Sequence, residues 1–193
     1  MSTKDRVLDA ALTSFGTRGF EATSLDAIAA ELGVRKQTIL YYFPSKDALL
    51  DGVIDTSADE LIAELERTLG RAGDGWGRIE AVVRKVFRLA ARRPALLGFL
   101  REVSRLGPPA SSHLASRLDP LVKRAQGFIE EEMAAGRLRP HDPSLVLLAV
   151  YSMVVGVSTE VEVVDALGQE QTLRSLVRRR NGLLALLRDA LVV

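Results

Sequence analysis

Apolar residues recur at three- and four-residue spacing along almost the whole chain, and that period admits helices and little else. Val7, Leu8, Ala11, Leu12 and Phe15 place one stripe on a first helix of about Lys4 to Arg18, which Gly19 ends. Thr23 or Ser24 can cap a second helix of about two turns, with Ile28, Ala29 and Leu32 inward and Asp26 in its first turn. Gly33 marks a tight turn. A third short helix runs from about Arg35 to Tyr42, burying Ile39 and Phe43, and Pro44 stops it.

Ser45 reads as the cap of a much longer fourth helix, periodic from Leu49 to Leu69, and Gly70, Gly73, Gly75 and Gly77 break it. Helix five carries Ile79, Val82, Val83, Val86, Phe87 and Ala90. Pro94 opens helix six, which Gly107, Pro108 and Pro109 close. Pro120 should either kink helix seven or open it with Asp119 as cap. Asp142 and Pro143 start helix eight, whose Leu145 to Val157 segment is apolar except for Ser152 and Gly156, so it must be covered all round. A last helix is expected from about Glu170 to Leu191. No β alternation stands out. The fold expected is all-α with about nine helices: short ones with tight turns over 1–47, then a long-helix domain over 48–193.

At 193 residues and 47% hydrophobic, the chain can bury roughly 70% of its unfolded surface, in one or two domains. Having no cysteine, it can form no disulfide and no thiolate metal site, which fits a reducing cytoplasm. Two histidines, His113 and His141, are too few for a histidine-rich metal centre, and no metal or cofactor is expected. The N-terminus has no apolar signal region, and the 13-residue run Leu145 to Val157 falls short of the roughly 20 that span a bilayer, so no membrane insertion is expected.

A net charge of +1 does not announce nucleic acid. The second and third helices do. Two short helices joined by a glycine turn, the second polar at its start, form the helix-turn-helix arrangement that fits a major groove. Arg35, Lys36, Gln37 and Thr38 open the third helix: Arg and Lys can donate to guanine O6 and N7, Gln can bond adenine, and Thr serves bases or phosphate. Tyr41, Tyr42 and Lys46 can reach phosphates and set register. Residues 1–47 carry six basic and six acidic side chains, yet between Glu31 and Asp47 lie three basic residues and no acid, so the acids are expected off the DNA face. Two tyrosines would be costly to expose without a partner.

Gly19 to Leu50, reading GFEATSLDAIAAELGVRKQTILYYFPSKDALL, closely resembles the TetR-type family of one-component transcriptional regulators. The match includes Phe15, Gly19-Phe20, Thr23-Ser24, Ile28-Ala29, Gly33-Val34, Thr38, Tyr42-Phe43, Lys46 and Leu49-Leu50. Position by position, the resemblance implies base contacts from Lys36, Gln37 and Thr38. It implies phosphate contacts from Ser24, Tyr41, Tyr42 and Lys46. Thr23 adjoins that set, Arg35 occupies a variable position, and Leu40 stands where a tyrosine is common, offering an apolar side chain that could touch a thymine methyl.

Useful specificity needs two such modules on one rigid dimer, and a dimer predicts a palindromic double-stranded DNA operator. Helices eight and nine are the expected homodimer seam, with Leu176, Leu183, Leu184 and Leu187 on the second. The resemblance also implies a small hydrophobic effector among the middle helices, for which Phe87, Leu96, Phe99, Leu100, Val103, Phe128 and Met133 are the apolar candidates. His113, Trp76, Arg105 and Tyr151 are the polar-edged ones. Helix four would couple effector to DNA by changing recognition-helix spacing. Repression is the family default, and an activator of the same fold is the alternative.

No catalytic role is expected. The chain has no nucleophile elbow, phosphate loop, H-E-x-x-H pair or dinucleotide fingerprint. In Glu130-Glu131-Glu132 consecutive residues point about 100° apart on a helix, which suits a solvated face better than a shared acid-base site. A helical partner-binding module without DNA affinity is the other reading, separable because DNA binding weakens steeply as salt rises.

Overall fold

The computed structural model describes residues 1–73 and 75–193, which form ten α-helices. They are α1 Thr3–Arg18, α2 Leu25–Leu32, α3 Lys36–Tyr42, α4 Lys46–Leu69, α5 Trp76–Arg92, α6 Pro94–Leu106, α7 Ala110–Ala134, α8 Pro143–Thr159, α9 Val161–Ala166 and α10 Leu173–Leu191. Among the described residues the β structure is one isolated bridge, Leu138 with Val192. The helix that periodicity misses is α9. It is too short to repeat an apolar face, and Val161, Val163 and Val164 are β-branched, poor helix formers.

Start signals act where side chains satisfy orphan backbone N–H groups. Ser2 and Asp5 form a reciprocal capping box at α1, and Asp142 accepts from the N–H groups of Ser144 and Leu145 at α8. Helix α10 begins at Leu173 rather than Glu170 because Thr172 is its cap, accepting from the Ser175 N–H at 3.1 Å. Pro120 neither opens nor stops α7, which runs through it from Ala110. Having no N–H, Pro120 leaves the Ser116 carbonyl without its helical donor.

Two compact units result, residues 1–62 with 93–119, and residues 63–92 with 120–193. This division differs from the expected seam at residue 47, since α6 packs on α1 and joins the first unit. The α1–α6 crossing is close enough that a Cβ at Gly16 would strike the Ala95 carbonyl, and one at Gly98 would strike the Gly16 carbonyl. Around it, Val7, Phe15, Ile28, Ile39, Leu49, Val53, Ile54, Leu96, Phe99 and Val103 make one continuous core.

In the second unit, Val83 and Phe87 of α5 pack with Val154 of α8 and with Leu183, Leu184 and Leu187 of α10. Ile129, Leu138, Val146 and Leu191 form a neighbouring cluster, with Phe128 and Met133 against it. Leu183, Leu184 and Leu187, expected at a dimer seam, are therefore protomer core, and Leu176 packs half-buried against them. One apolar face left open lies on α8: Leu145 and Leu148 are each 60% exposed and Tyr151 is 55% exposed.

Of the acidic run on α7, Glu130 and Glu131 face solvent as expected. Glu132 does not: it is buried and accepts two hydrogen bonds from Arg137, at 2.6 and 2.8 Å.

Candidate nucleic-acid interface

The DNA-facing module begins with Ser24, whose Oγ accepts from the Ala27 N–H at 3.1 Å and so starts α2. Gly33 ends α2 in the left-handed region, φ +66°, where a side chain would be strained, and this turn sends the chain into α3 at an angle. The Val34 N–H closes the turn on the Ala29 carbonyl at 3.0 Å. Ile39 and Phe43 then anchor α3 in the core of the first unit.

Anchoring one face presents the other. Arg35, Lys36 and Gln37 are exposed, Thr38 is half-buried, and Tyr41 is 82% exposed. Tyr42 is also exposed, edge-on to Tyr41 with ring centroids 5.0 Å apart. An edge-to-face contact of this kind holds both rings in a defined place while leaving both hydroxyls open to acceptors on a duplex backbone. Leu40 packs half-buried against the core and offers only part of its side chain outward.

Lys46 is held rather than free. Its ammonium lies 4.1 Å from the centre of the Phe20 ring and donates to the Glu21 carbonyl at 3.4 Å, which fixes a positive charge at the start of α4.

Three placements correct the reading of the sequence. Thr23 is interior: its hydroxyl donates to the Gly19 carbonyl at 2.8 Å and its N–H to Phe20. It closes the Gly19–Ser24 turn, with both its hydroxyl and its N–H donated within the chain. The acids are not all off the DNA face, because Asp26 holds the Lys36 ammonium at 2.8 Å. The third concerns Glu102 of α6, which sequence reasoning passed over. Its carboxylate accepts the Phe20 N–H at 3.0 Å while pairing with Arg105, so α6 braces the turn that precedes α2. A single glutamate on an amphipathic helix leaves no periodic or motif signal.

The seven apolar effector candidates divide between the two units. Leu96, Phe99 and Val103 are fully buried in the first unit, Phe99 stacking on Phe15 with ring centroids 6.3 Å apart, and Leu100 packs against the same core. Their stripe faces α1, so they seat α6. Phe87, Phe128 and Met133 belong to the second unit. The polar-edged candidates divide likewise, His113 and Arg105 in the first unit and Trp76 and Tyr151 in the second. His113 lies between Asp51 and Asp55, 3.1 Å from each, and Arg105 pairs with Glu102. Trp76 packs beside the α5–α10 core, and Tyr151 is on the open face of α8. Among the described residues no cluster of three or more metal-ligating side chains occurs, and no helix is long and apolar enough to cross a membrane.

A helix-turn-helix with a polar, tyrosine-bearing second helix, set on an all-helical chain, defines a DNA-binding regulator. Residues 7–53 match the profile of bacterial regulatory proteins of the tetR family, and residues 72–159 match that of the tetracyclin repressor-like C-terminal domain. The chain belongs to the TetR family of transcriptional regulators, a family of ligand-responsive DNA-binding proteins rather than enzymes. Among curated relatives, it is 29% identical over 150 residues to the HTH-type transcriptional regulator RutR of Escherichia coli strain K12, covering 77% of this chain and 70% of that one. It is 27% identical over 133 residues to the HTH-type transcriptional repressor KstR of Mycolicibacterium smegmatis, covering 69% and 64%. The fold superposes on the crystal structure of AibR in complex with isovaleryl coenzyme A and operator DNA at TM-score 0.82, with 18% identity, across 96% of this chain and 98% of that one.

Proposed function

We propose that this chain is a cytoplasmic repressor that binds a palindromic operator as a homodimer and releases it when a small hydrophobic effector binds. The observation that carries the reading is the outer face of α3, where Arg35, Lys36, Gln37, Tyr41 and Tyr42 stand in solvent on a helix anchored from behind by Ile39 and Phe43. Lys36, Gln37 and Thr38 read base edges. Ser24, Tyr41, Tyr42 and Lys46 take phosphates, and Arg35 serves either.

Dimerisation follows from α8. Its exposed stripe of Leu145, Leu148 and Tyr151 runs on a helix without a charged residue, an arrangement that calls for a partner. Open space beside Gly156 on α8 and Gly182 on α10 lets a second copy approach closely. The seam thus uses the outward faces of α8 and α10, including the exposed Leu186, in place of the inward leucines. Two-fold symmetry then sets two α3 helices about one DNA turn apart, roughly 34 Å or a multiple of it.

Effector binding belongs to the second unit, where Phe87, Phe128 and Met133 lie. Both α4 and α7 contribute residues to both units, so a shift in either helix reaches the first. A coupling of about 1 to 3 kcal/mol is enough to change operator affinity 5- to 150-fold. That KstR is a repressor supports repression, and that AibR is crystallised in complex with isovaleryl coenzyme A and operator DNA supports a chain that takes both a small effector and an operator. Selection of bound duplexes from a random pool tests the reading. Enrichment of an inverted repeat supports it, and recovery of unrelated sequences contradicts it.

A further inference from the structure

Helices α5 and α10 each present a residue stripe at i, i+3, i+4 and i+7 to one groove of the second unit: Arg84, Phe87, Arg88 and Ala91 on α5, and Leu173, Leu176, Val177 and Arg180 on α10. The groove measures about 310 Å³, at the small end of the range for ligand sites. Phe87 forms its buried floor, Leu173 and Val177 stand exposed, and among the described residues no acidic side chain lines it. Five of the lining side chains are apolar and the other three are all arginines.

Those arginines are poorly balanced. Arg84 is paired with Glu80 at 2.6 Å, whereas among the described residues Arg180 bonds only the neutral Asn181 oxygen, at 3.0 and 3.2 Å. Arg88 has no hydrogen bond or ion pair among the described residues. Burial lowers the pKa of Arg180 and the nearby Arg84 and Arg88 lower it further, with Glu80 opposing them, so the guanidinium groups act on one another as crowded like charges. An excess of planar donors over an apolar floor suits a ligand that brings apolar bulk and its own negative charge, because arginine forks match carboxylate and phosphate oxygens.

We propose that the α5–α10 groove binds an amphipathic anion, its short acyl or aryl part lying on Phe87, Leu176 and Val177 and its carboxylate or phosphate head group held by Arg88, Arg180 and Arg84. Of the effector candidates named from the sequence, only Phe87 belongs to it. The binding claim stands on the groove alone; that such binding releases DNA rests on the regulatory function proposed above.

The test is calorimetric titration of the full chain, without DNA and at low ionic strength, with octanoate, octyl phosphate and 1-octanol. The expected result is saturable binding of either anion at one per chain, with 1-octanol about tenfold weaker or worse. The tighter of the two anions identifies the head group. Arg88→Ala, at an exposed position with no partner to lose, should weaken the anions about tenfold at unchanged melting temperature and leave 1-octanol unaffected. Equal binding of 1-octanol and octanoate, no saturable binding of either anion, or an Arg88→Ala variant that binds them normally overturns the proposal. So does a Leu173→Asp variant that turns a dimer into monomers while the native dimer ignores both anions, since the groove is then a seam between copies. The same anions added to a protein–duplex complex test release separately: a chain that takes octanoate but retains no duplex keeps the groove and loses the regulator.

Discussion

Lys36 and Lys46 carry the same ammonium group in different settings, and their substitutions should separate specificity from general affinity. Lys36 sits on the exposed start of α3 beside base-reading neighbours, so Lys36→Ala should cost about 1 to 3 kcal/mol on the selected operator and little on random duplex. Lys46, fixed against Phe20 and Glu21, meets phosphate alone on the proposed function, so Lys46→Ala should weaken all duplexes nearly equally and lower the salt slope by about one. Anisotropy titrations on both duplexes at two salt concentrations check the pair. Asp26 adds a third case. Its exposed pair with Lys36 contributes little to stability, but Lys36 must leave it to reach a base. Asp26→Asn should therefore tighten duplex binding several-fold with an unchanged melting temperature, and an unchanged or weaker affinity would mean that Asp26 instead holds Lys36 in its reading position.

At the scale of the elements, the α1–α6 crossing is the tightest contact of the first unit and Phe99 is its filled centre. Phe99→Ala should cost about 3 to 5 kcal/mol of unfolding free energy, because it opens a cavity beside Phe15. Gly98→Val should also destabilise, by displacing α6 from the Gly16 carbonyl. Thermal or urea unfolding measures both.

The Glu132–Arg137 pair at the end of α7 gives a pH signature. Hydrogen bonds from Arg137 hold the Glu132 carboxyl below its ordinary value of 4.5 against the opposing effect of burial. Its contribution is thus complete above 4.5 and is lost as pH falls through the lower folded value. Arg137→Ala should remove about 1 to 2 kcal/mol near neutral pH and progressively less in acid, read from urea midpoints across that range.

Local signals made most elements legible: Ser24, Gly33, Pro94 and the Asp142-Pro143 step each act through one backbone group and mark the helix they bound. The outward face of α3 was legible too, since a seven-residue helix with Ile39 inward leaves little choice about what faces out. Partners of an apolar stripe were not. Periodicity shows that Leu96, Phe99 and Val103 share a face but cannot say whether α1 or a cavity lies opposite, and the same ambiguity moved Leu183, Leu184 and Leu187 from an expected seam into the core. Thr23 was misplaced for a related reason, because its hydroxyl is satisfied by the carbonyl of Gly19, a contact made only once the turn has closed.

On the proposed function the whole molecule must be double to work, since one α3 would contact too few bases for useful specificity. Leu148→Asp puts a charge on the open stripe of α8, far from any DNA contact in the sequence. It should yield monomers by sedimentation and reduce operator affinity at least tenfold while α3 remains folded. The decisive measurement is the stoichiometry of the complex on an enriched duplex, by sedimentation of protein with the full inverted repeat and with a single half-site. Two chains per full repeat, binding much more tightly than one chain binds a half-site, is the predicted result. Equal affinity for both, with one chain on each, or no duplex retained at low salt would contradict the account.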